Sequence, residues 1–377
     1  MENFKNYLVN NSDTSTAAFI PLLRWFEKNQ RAMPWRQVKA DPYQVWISEM
    51  MLQQTQVVTV IPYFHRFMER FPSIEVLATS NQQDLLKVWE GLGYYSRARN
   101  VHKAAKIIMS EWGGLIPSGY ESLQGLPGIG PYAAAAIASI AFGEPVPVVD
   151  GNVLRVFTRY WGIKDDIRQS NVRRVIFDKL HPLIQHFNPS SFNQGIMELG
   201  ALICNPKSPL CLSCPLQGTC VAYTQNRISE FPFKSKSVPT PHYHIAVGLI
   251  RKSDKLLIGR RKEEGMLGGL WEFPGGKQQG AETLEETVFR EVREETNLEV
   301  CVLKKLSTVK HAYTHFKISL HAFYCYIVSG EEKALSADEL RWVTINELDA
   351  FPFPKANLKI IKALREERPS VGIALTL

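Results

Sequence analysis

A change of sequence pattern between residues 224 and 242 is the feature that most restricts the fold. Before it, over 14–161 and 172–203, apolar residues recur at the spacing of amphipathic helices. The stretch itself is rich in proline, serine, threonine and lysine, which is typical of a linker. After it, strand patterns surround one helical segment. The pattern predicts an all-α domain over 14–223, a linker over 224–242 and a mixed α and β domain over 243–377.

The length and charge of the chain agree with this division. Its 377 residues exceed what a single core usually supports, and the hydrophobic share of 45% excludes a disordered chain. Lys and Arg number 44 against 37 Asp and Glu, so the net charge of +7 indicates an anionic partner. No apolar stretch is long enough to span a bilayer, and the N-terminus lacks a signal-peptide pattern. We therefore expect a cytoplasmic protein that does not bind membranes.

A glycine-rich turn precedes an alanine-rich helix in the sequence LPGIGPYAAAAIASIAF, residues 126–142. Gly128 and Gly130 permit a tight turn, and Pro131 suits the first turn of a helix. The free amides at such a helix start attract a phosphate, so the hairpin over 125–131 could hold a nucleic-acid backbone. A plain connection between two packed helices would have the same sequence.

Two carboxyl groups have contrasting sequence surroundings. Glu49 is the only acidic residue between Pro42 and His65, and its neighbours are large and apolar, so desolvation should raise its pKa. Asp150 stands at a predicted helix start, where backbone N–H groups favour the ionised form. One neutral and one charged carboxyl group suit the cleavage of an N-glycosidic bond. Taken alone, Asp150 could be an ordinary helix cap and Glu49 a satisfied buried acid.

These motifs resemble a known family. LPGIGPYAAAAIASIAF and VDGNVLRV are similar to the helix-hairpin-helix DNA glycosylases, the superfamily of endonuclease III and MutY, and WISEMMLQQTQV at 46–57 resembles the MutY segment. The resemblance implies an all-α core that flips adenine out of double-stranded DNA and hydrolyses its glycosidic bond. It implies that Glu49 protonates adenine and later assists the water, that Asp150 stabilises the sugar cation, and that Tyr132 and Asn152 orient the centre.

Position 132 distinguishes members of the superfamily. Bifunctional members have a lysine nucleophile there that breaks the strand, so Tyr132 predicts a monofunctional enzyme, which we expect to be a monomer. The resemblance also assigns contacts with DNA. Gln54 and Tyr94 match the wedges that fill the gap left by the flipped base. The residues similar to those that line the adenine pocket are Arg31, Trp35 and Arg36.

Four cysteines have the spacing C-x6-C-x2-C-x5-C, at Cys204, Cys211, Cys214 and Cys220. In a cytoplasmic chain this spacing favours a metal site over disulfides. Four thiolates suit either zinc or a 4Fe–4S cluster. Endonuclease III and MutY carry a 4Fe–4S cluster on this pattern, so the resemblance implies one such cluster, with a structural role, in the loop 204–220.

Residues 276–298 match the Nudix box G-x5-E-x7-R-E-U-x-E-E-x-G-U, except that Asn297 replaces the last glycine. Helical spacing places three glutamates on one face, where they could hold Mg²⁺. They are Glu291, Glu294 and Glu295. MutY proteins end in a Nudix-like domain that recognises 8-oxoguanine, usually with a degraded box. The residues that resemble its lesion-reading loop are Tyr313, Thr314 and His315.

The box here is nearly whole, and two interpretations compete. We favour a retained fold marker, because the domain already has a role in lesion reading. GGLWEFPGGK at 268–277 resembles the nucleotide hydrolase MutT, so hydrolysis of 8-oxo-dGTP is the alternative.

The sequence as a whole predicts an adenine DNA glycosylase of base excision repair that acts on adenine paired with 8-oxoguanine or guanine. Two other functions stay open. One is a nucleotide pyrophosphohydrolase, in addition to or instead of the glycosylase. The other is a non-catalytic sensor of DNA damage.

Overall fold

The computed structural model describes residues 14–235 and 239–367 and contains two compact units. One unit contains the described residues of 1–79 and 100–237, and the other contains those of 80–99 and 238–377. Residues 236–238 of the predicted linker and 368–377 of the predicted C-terminal domain lie outside the described residues, as do residues 1–13. The segment 80–99 thus packs with the second unit, although its sequence pattern is that of the helical domain.

The first unit is helical. Most of its helices are short, and α6 and the start of α7 belong to the second unit. In chain order the helices before the linker are α1 Thr14–Ala17, α2 Ile20–Asn29, α3 Pro42–Leu52, α4 Val57–Arg70, α5 Ile74–Thr79, α6 Gln82–Trp89, α7 Ser96–Glu111, α8 Tyr120–Gln124, α9 Pro131–Phe142, α10 Gly151–Trp161, α11 Ser170–Ile184, α12 Pro189–Leu202 and α13 Val221–Thr224. Short 3-10 turns occur at Cys211–Ser213, Gln217–Thr219 and Ile228–Glu230.

Local sequence explains where three of these helices begin. The side chain of Asp41 accepts a hydrogen bond from the N–H of Tyr43 at the start of α3. Helix α9 begins with Pro131, which needs no hydrogen bond for its nitrogen. Asp150 caps α10 by accepting from the Val153 N–H at 2.7 Å. These three helix starts bring the predicted site residues into fixed positions.

The core of the helical unit depends on close packing around small residues. Residues 133–138 of α9 are buried, and five of these six are alanine. On α12, Gly195 lies against Phe26, and a Cβ atom at Gly200 would meet Asn152 at 2.6 Å. Large apolar side chains of α2, α10, α11 and α12 fill the remaining interior. Small residues therefore let the helix that carries Asn152 approach α12 closely.

The second unit is a mixed sheet between two helices. Strand β1 pairs parallel with β6, and the other pairings are antiparallel. The strand order is β3-β2-β1-β6-β5, while β4 pairs with β1 and β7 with β2. The elements are β1 His242–Lys252, β2 Lys255–Arg260, β3 Trp271–Glu272, β4 Gly275–Lys277, α14 Leu284–Thr296, β5 Glu299–Ala312, β6 Lys317–Ser329, β7 Glu339–Thr344, a 3-10 turn Glu347–Ala350 and α15 Lys355–Glu366.

The two helices cover opposite faces of the sheet. Val288 and Val292 of α14 pack with Ile250 and Phe323, whereas α15 contributes Ile360 to the other apolar cluster. This architecture confirms the predicted fold class of an all-α part followed by a mixed α/β part. Among the described residues, no helix combines the length and apolarity needed to cross a bilayer.

Strand β5 and helix α15 were not predicted from the sequence. Strand β5 has register shifts near Val300, Val302 and Lys305, so its side chains do not alternate regularly between apolar and polar. The predicted linker is also more ordered than its composition suggests. Within the helical unit, the Arg159 guanidinium donates to the Phe231 carbonyl at 3.0 Å, and the Ile167 N–H donates to the Phe233 carbonyl at 3.1 Å.

Candidate active site

A cleft of about 1170 Å³ in the helical unit collects the predicted catalytic and adenine-pocket residues. Helices α3, α9, α10 and α12 and the loop after α2 form its walls. Its volume is large enough for a flipped nucleoside, since ligand pockets usually span roughly 300–1,000 Å³. The predicted residues that line it are Arg31, Trp35, Arg36, Glu49, Tyr132, Asp150 and Asn152.

Glu49 on α3 is only 5% exposed. The Tyr132 hydroxyl donates to Glu49 Oε2 at 2.8 Å. Burial raises the pKa of Glu49 to about 7, the hydrogen bond from Tyr132 lowers it, and the charge of Asp150 raises it. A carboxyl group with this pKa still holds its proton in a large fraction of molecules at neutral pH. Glu49 is therefore equipped to act as a general acid.

Asp150 is half-buried, and desolvation raises its pKa above the usual range. The hydrogen bonds at the helix start favour the ionised form, as the sequence predicts, but desolvation outweighs them in the net shift of the pKa. The N–H of Val153 and the side-chain amide of Asn152 donate to the two carboxylate oxygens at 2.7 and 2.9 Å and oppose the shift. Since the charge of Asp150 contributes to the raised pKa of Glu49, Asp150 ionises first.

A further carboxyl group in the cleft, Glu198, was missed in the sequence. It is 2% exposed, and the Arg31 guanidinium donates to both of its oxygens at 2.7 and 3.0 Å. Arg36 lies 3.6 Å from it. Although burial raises the pKa of Glu198, these two cations hold it below the usual range. The same signal that identified Glu49 was available, because Glu198 is the only acidic residue of α12.

The two predicted wedge residues adopt an unusual backbone conformation. Gln54 follows α3 with φ 57°, and Tyr94 precedes α7 with φ 49°. Left-handed backbone costs about 1–2 kcal/mol for a residue with a Cβ atom. Both side chains are exposed, Tyr94 at 41%. Such strain is concentrated at functional sites, which is consistent with the predicted role of both residues.

The predicted hairpin lies on the surface of the helical unit. Gly128 has φ 78°, and a Cβ atom there would meet the Asn100 side chain at 2.6 Å, so only glycine fits this turn. Gly130 is the N-cap residue of α9, and no side chain caps this helix start. Gly128, Gly130 and Pro131 are all exposed, so the helix start is accessible to an anion.

The four clustered cysteines surround one apolar cavity beside α10 and α12. All six cysteines of the chain lie in the described parts and none is in a disulfide. The guanidinium of Arg159 lies 3.2 Å from the Cys204 sulfur. Within residues 14–235 and 239–367, no three His, Cys, Asp or Glu side chains converge on a point where one metal ion could bind.

The predicted lesion-reading residues form the turn between β5 and β6. The Tyr313 ring packs against Phe316, with ring centres 4.8 Å apart, and its N–H donates to the Phe316 carbonyl at 2.8 Å. Thr314 and His315 are exposed at the tip of the turn. The hydroxyl of Tyr94 hydrogen bonds to the hydroxyl of Thr314. A predicted wedge and a predicted lesion reader are therefore in direct contact within the second unit.

The glutamates of the Nudix box are not equivalent. Glu294 is 59% exposed, whereas Glu291 and Glu295 are largely buried. Burial and the charges of Glu272 and Glu291 raise the pKa of Glu295 to about 7. Arg290 lies within 3.2 Å of three carboxylates, those of Glu282, Glu291 and Glu294. The capacity of Glu291, Glu294 and Glu295 to hold Mg²⁺ stays a prediction.

Comparisons with known proteins match both parts of the chain. Residues 47–182 match the family model of the HhH-GPD superfamily base excision DNA repair protein, and residues 246–363 match that of the NUDIX domain. The chain is 32% identical over 404 residues to the adenine DNA glycosylase of Rattus norvegicus, covering 92% of this chain and 78% of the rat protein.

A bacterial relative and a solved structure agree with this match. The adenine DNA glycosylase of Buchnera aphidicola subsp. Schizaphis graminum (strain Sg) is 36% identical over 300 residues, covering 79% of this chain and 84% of that protein. The structure of a thermostable thymine-DNA glycosylase aligns with a TM-score of 0.52 and 26% identity, covering 56% of this chain and 98% of that one.

The raised pKa of Glu49 predicts a pH-dependent stability. Its unfolded pKa is near 4.5 and its folded pKa about 7, so native stability falls as pH rises between these values. Replacing Glu49 with Gln, which does not titrate, should raise Tm by a few degrees at pH 8 and change it little at pH 5, as calorimetry can measure. The exposed Glu75→Gln is the matched control. Equal changes in Tm at both pH values would contradict a buried, protonated Glu49.

Proposed function

The chain belongs to the adenine DNA glycosylases of the HhH-GPD superfamily, and we propose that it removes adenine paired with 8-oxoguanine or guanine without breaking the strand. It is an enzyme that hydrolyses N-glycosyl bonds, and its partner is DNA. The observation that carries the proposal is a pair of carboxyl groups, the buried Glu49 and the half-buried Asp150, which line one cleft in different environments.

The chemistry assigned to this pair is hydrolysis of the bond between adenine and the sugar. Protonated Glu49 gives its proton to a ring nitrogen of adenine, and the base leaves with the electron pair of the glycosidic bond. The ionised Asp150 stabilises the resulting oxocarbenium-like sugar. Water then attacks the sugar carbon and loses a proton to the Glu49 carboxylate. This last step restores the acid and leaves an abasic site.

Tyr132 and Asn152 support these roles as positioning groups. Because the Tyr132 hydroxyl donates to Oε2 of Glu49, the acidic proton is directed to Oε1. Asn152 donates to Asp150, and its own carbonyl oxygen accepts from Arg155 at 2.8 Å, which sets the orientation of the amide. A phenol at position 132 supplies no amine nucleophile, which supports a monofunctional reaction.

We assign recognition of the flipped base to the part of the cleft that Glu198, Arg31 and Arg36 line. The exocyclic amine of adenine is a donor, and the buried Glu198 carboxylate is an acceptor that Arg31 and Arg36 keep ionised. Trp35 packs edge-on against Phe64, with ring centres 5.1 Å apart, which gives the pocket a fixed apolar wall. An apolar wall and a charged acceptor in one cleft are the kinds of group that bind a purine.

The remaining assignments concern the DNA duplex and the opposite base. The exposed start of α9, with Gly128 and Gly130, suits a phosphate contact. The exposed, left-handed turns of Gln54 and Tyr94 support their assignment as wedges. Recognition of 8-oxoguanine is assigned to Tyr313, Thr314 and His315, because an exposed hydroxyl beside a packed aromatic ring can hydrogen bond a base edge.

We also propose a 4Fe–4S cluster held by Cys204, Cys211, Cys214 and Cys220. The four sulfurs face one apolar cavity, and burial raises the pKa of Cys214 to about 12, so the thiolates need a cationic partner. Four thiolates suit zinc as well, and the choice of a 4Fe–4S cluster rests on the resemblance of their spacing to that of endonuclease III and MutY. When bound, the cluster would have a structural role only, since four cysteine ligands leave no open coordination position for catalysis.

Glycosylase activity is tested with a duplex that contains one adenine:8-oxoguanine pair. The protein should release adenine and leave a site that alkali cleaves, and Glu49→Gln and Asp150→Asn should each slow release by about 10²–10⁴-fold. Borohydride should trap no covalent complex. Binding without adenine release would indicate a damage sensor, and trapped complexes would contradict the monofunctional assignment.

The pH dependence tests the acid directly. The rate of adenine release should fall as pH rises above about 7, because Glu49 then loses its proton. The hydrogen bond from Tyr132 lowers the pKa of Glu49, so Tyr132→Phe should move this fall to higher pH. Tyr43→Phe, which removes a buried hydroxyl elsewhere on α3, is the control. A fall that moves to lower pH or stays in place in Tyr132→Phe would refute the assignment.

The cluster is tested by metal and sulfide analysis of the purified protein. We expect about four iron atoms and visible absorption typical of iron–sulfur proteins, both lost in Cys214→Ser. Cys301→Ser makes the same replacement outside the cluster and should retain the iron. Stoichiometric zinc in place of iron would overturn the proposal.

A further inference from the structure

Within the second unit, several hydrogen bonds connect the segment 80–99 to residues that follow the linker. Both polar atoms of the Gln83 side-chain amide form hydrogen bonds. Its nitrogen donates to the Gly269 carbonyl at 2.9 Å, and its oxygen accepts from the Trp271 indole at 3.0 Å. One turn later, the Lys87 ammonium donates to the Phe351 carbonyl at 3.0 Å. Helix α6 is therefore held along one face by backbone and side-chain groups of the second unit.

The strongest attachment lies at the two ends of the loop that carries Tyr94. We call residues 91–94 the wedge loop. On one side of it, Glu90 accepts from the Phe353 N–H at 2.7 Å. On the other side, the Tyr95 hydroxyl donates to the Phe353 carbonyl at 3.3 Å and accepts from the Gly91 N–H at 3.0 Å. Both ends of the wedge loop are thus attached to the backbone of one residue.

Phe353 is a rigid attachment point. Its side chain is fully buried in the sheet core and stacks on Phe273, with ring centres 6.0 Å apart. Glu90 is also paired with Lys87 at 2.7 Å, and its side chain is only 14% exposed. A charged acceptor that is mostly shielded from water forms a stronger hydrogen bond than a neutral one.

The wedge loop needs such support because its conformation is strained. Gly91, Gly93 and Tyr94 all have positive φ, and Tyr94 has a Cβ atom that disfavours this region. The buried Arg97 donates to the Gly93 carbonyl at 3.0 Å. Its guanidinium also lies over the Tyr94 ring, 5.3 Å from the ring centre. The loop is therefore held from inside by Arg97 and at its ends by Phe353.

We propose that Glu90 and Tyr95 are positioning residues that hold Tyr94 against Thr314 and so set the preference for 8-oxoguanine over guanine opposite the adenine. The inference rests on the proposed lesion-reading function of Thr314. The hydroxyl groups of Tyr94 and Thr314 are hydrogen bonded, and both residues belong to the same unit. Releasing the wedge loop from Phe353 would free the Thr314 hydroxyl from its partner.

The test measures single-turnover adenine release by the full-length protein from adenine:8-oxoguanine and adenine:guanine duplexes. The ratio of the two rates should fall by about tenfold in Glu90→Ala, which loses a charged hydrogen bond. Glu90→Gln retains an acceptor for the Phe353 N–H and should restore most of the ratio. Tyr95→Phe should lower the ratio as well. Glu75→Ala, an exposed glutamate on α5, should leave it unchanged.

A double-mutant cycle distinguishes positioning from a general structural role. If Glu90 acts through Tyr94 and Thr314, then Glu90→Ala combined with Thr314→Val should lower the ratio little more than Thr314→Val alone. Equal losses of both rates in Glu90→Ala and Tyr95→Phe, or an unchanged ratio in both variants, would overturn this inference but not the lesion-reading function. A wild-type protein with equal rates on both duplexes would instead overturn the lesion-reading function on which the inference rests.

Discussion

Desolvation of two carboxyl groups in one cleft is the constraint on which the helical unit depends. A glutamic acid in water has lost its proton at neutral pH and cannot act as an acid, so Glu49 must be kept from water. The same burial also raises the pKa of Asp150, which the chemistry needs ionised. The two carboxyl groups differ in the hydrogen-bond donors around them. Asp150 accepts from a helix-start N–H and a side-chain amide, whereas Glu49 accepts from the phenol of Tyr132.

The fold supplies this environment through packing as much as through polar contacts. The alanine-rich α9 carries Tyr132 and packs closely enough to exclude water behind the site. Gly200 of α12 leaves room for Asn152, which in turn fixes Asp150. In the same cleft, Glu198 is as buried as Glu49 but lies between two arginines, which lower its pKa. One cleft thus contains two buried carboxyl groups and the half-buried Asp150, and the charges and donors around each decide its protonation.

Features set by neighbouring residues could be predicted from the sequence, whereas those set by distant residues could not. The apolar neighbours of Glu49 predicted its burial, and the capping residues predicted the starts of α9 and α10. The net rise in the pKa of Asp150 could not be predicted, because it depends on how the fold desolvates this carboxyl group. The burial of Glu198 could have been predicted in the same way as that of Glu49, but its lowered pKa could not, because its arginine partners stand 162 or more positions earlier in the chain. The packing of 80–99 with the second unit likewise depends on contacts with Phe351 and Phe353, which no local pattern contains.

Backbone strain connects the two recognition tasks of the proposed function. Gln54 and Tyr94 each hold a left-handed conformation that an unconstrained chain would leave, at about 1–2 kcal/mol per residue. Such a conformation persists only where the surrounding structure determines it. For Tyr94 that surrounding structure is the α/β unit, which also carries the predicted lesion-reading turn. The residue proposed to enter the DNA beside the lesion is therefore oriented by the domain proposed to read it, while the catalytic carboxyl groups are oriented by the helical unit alone.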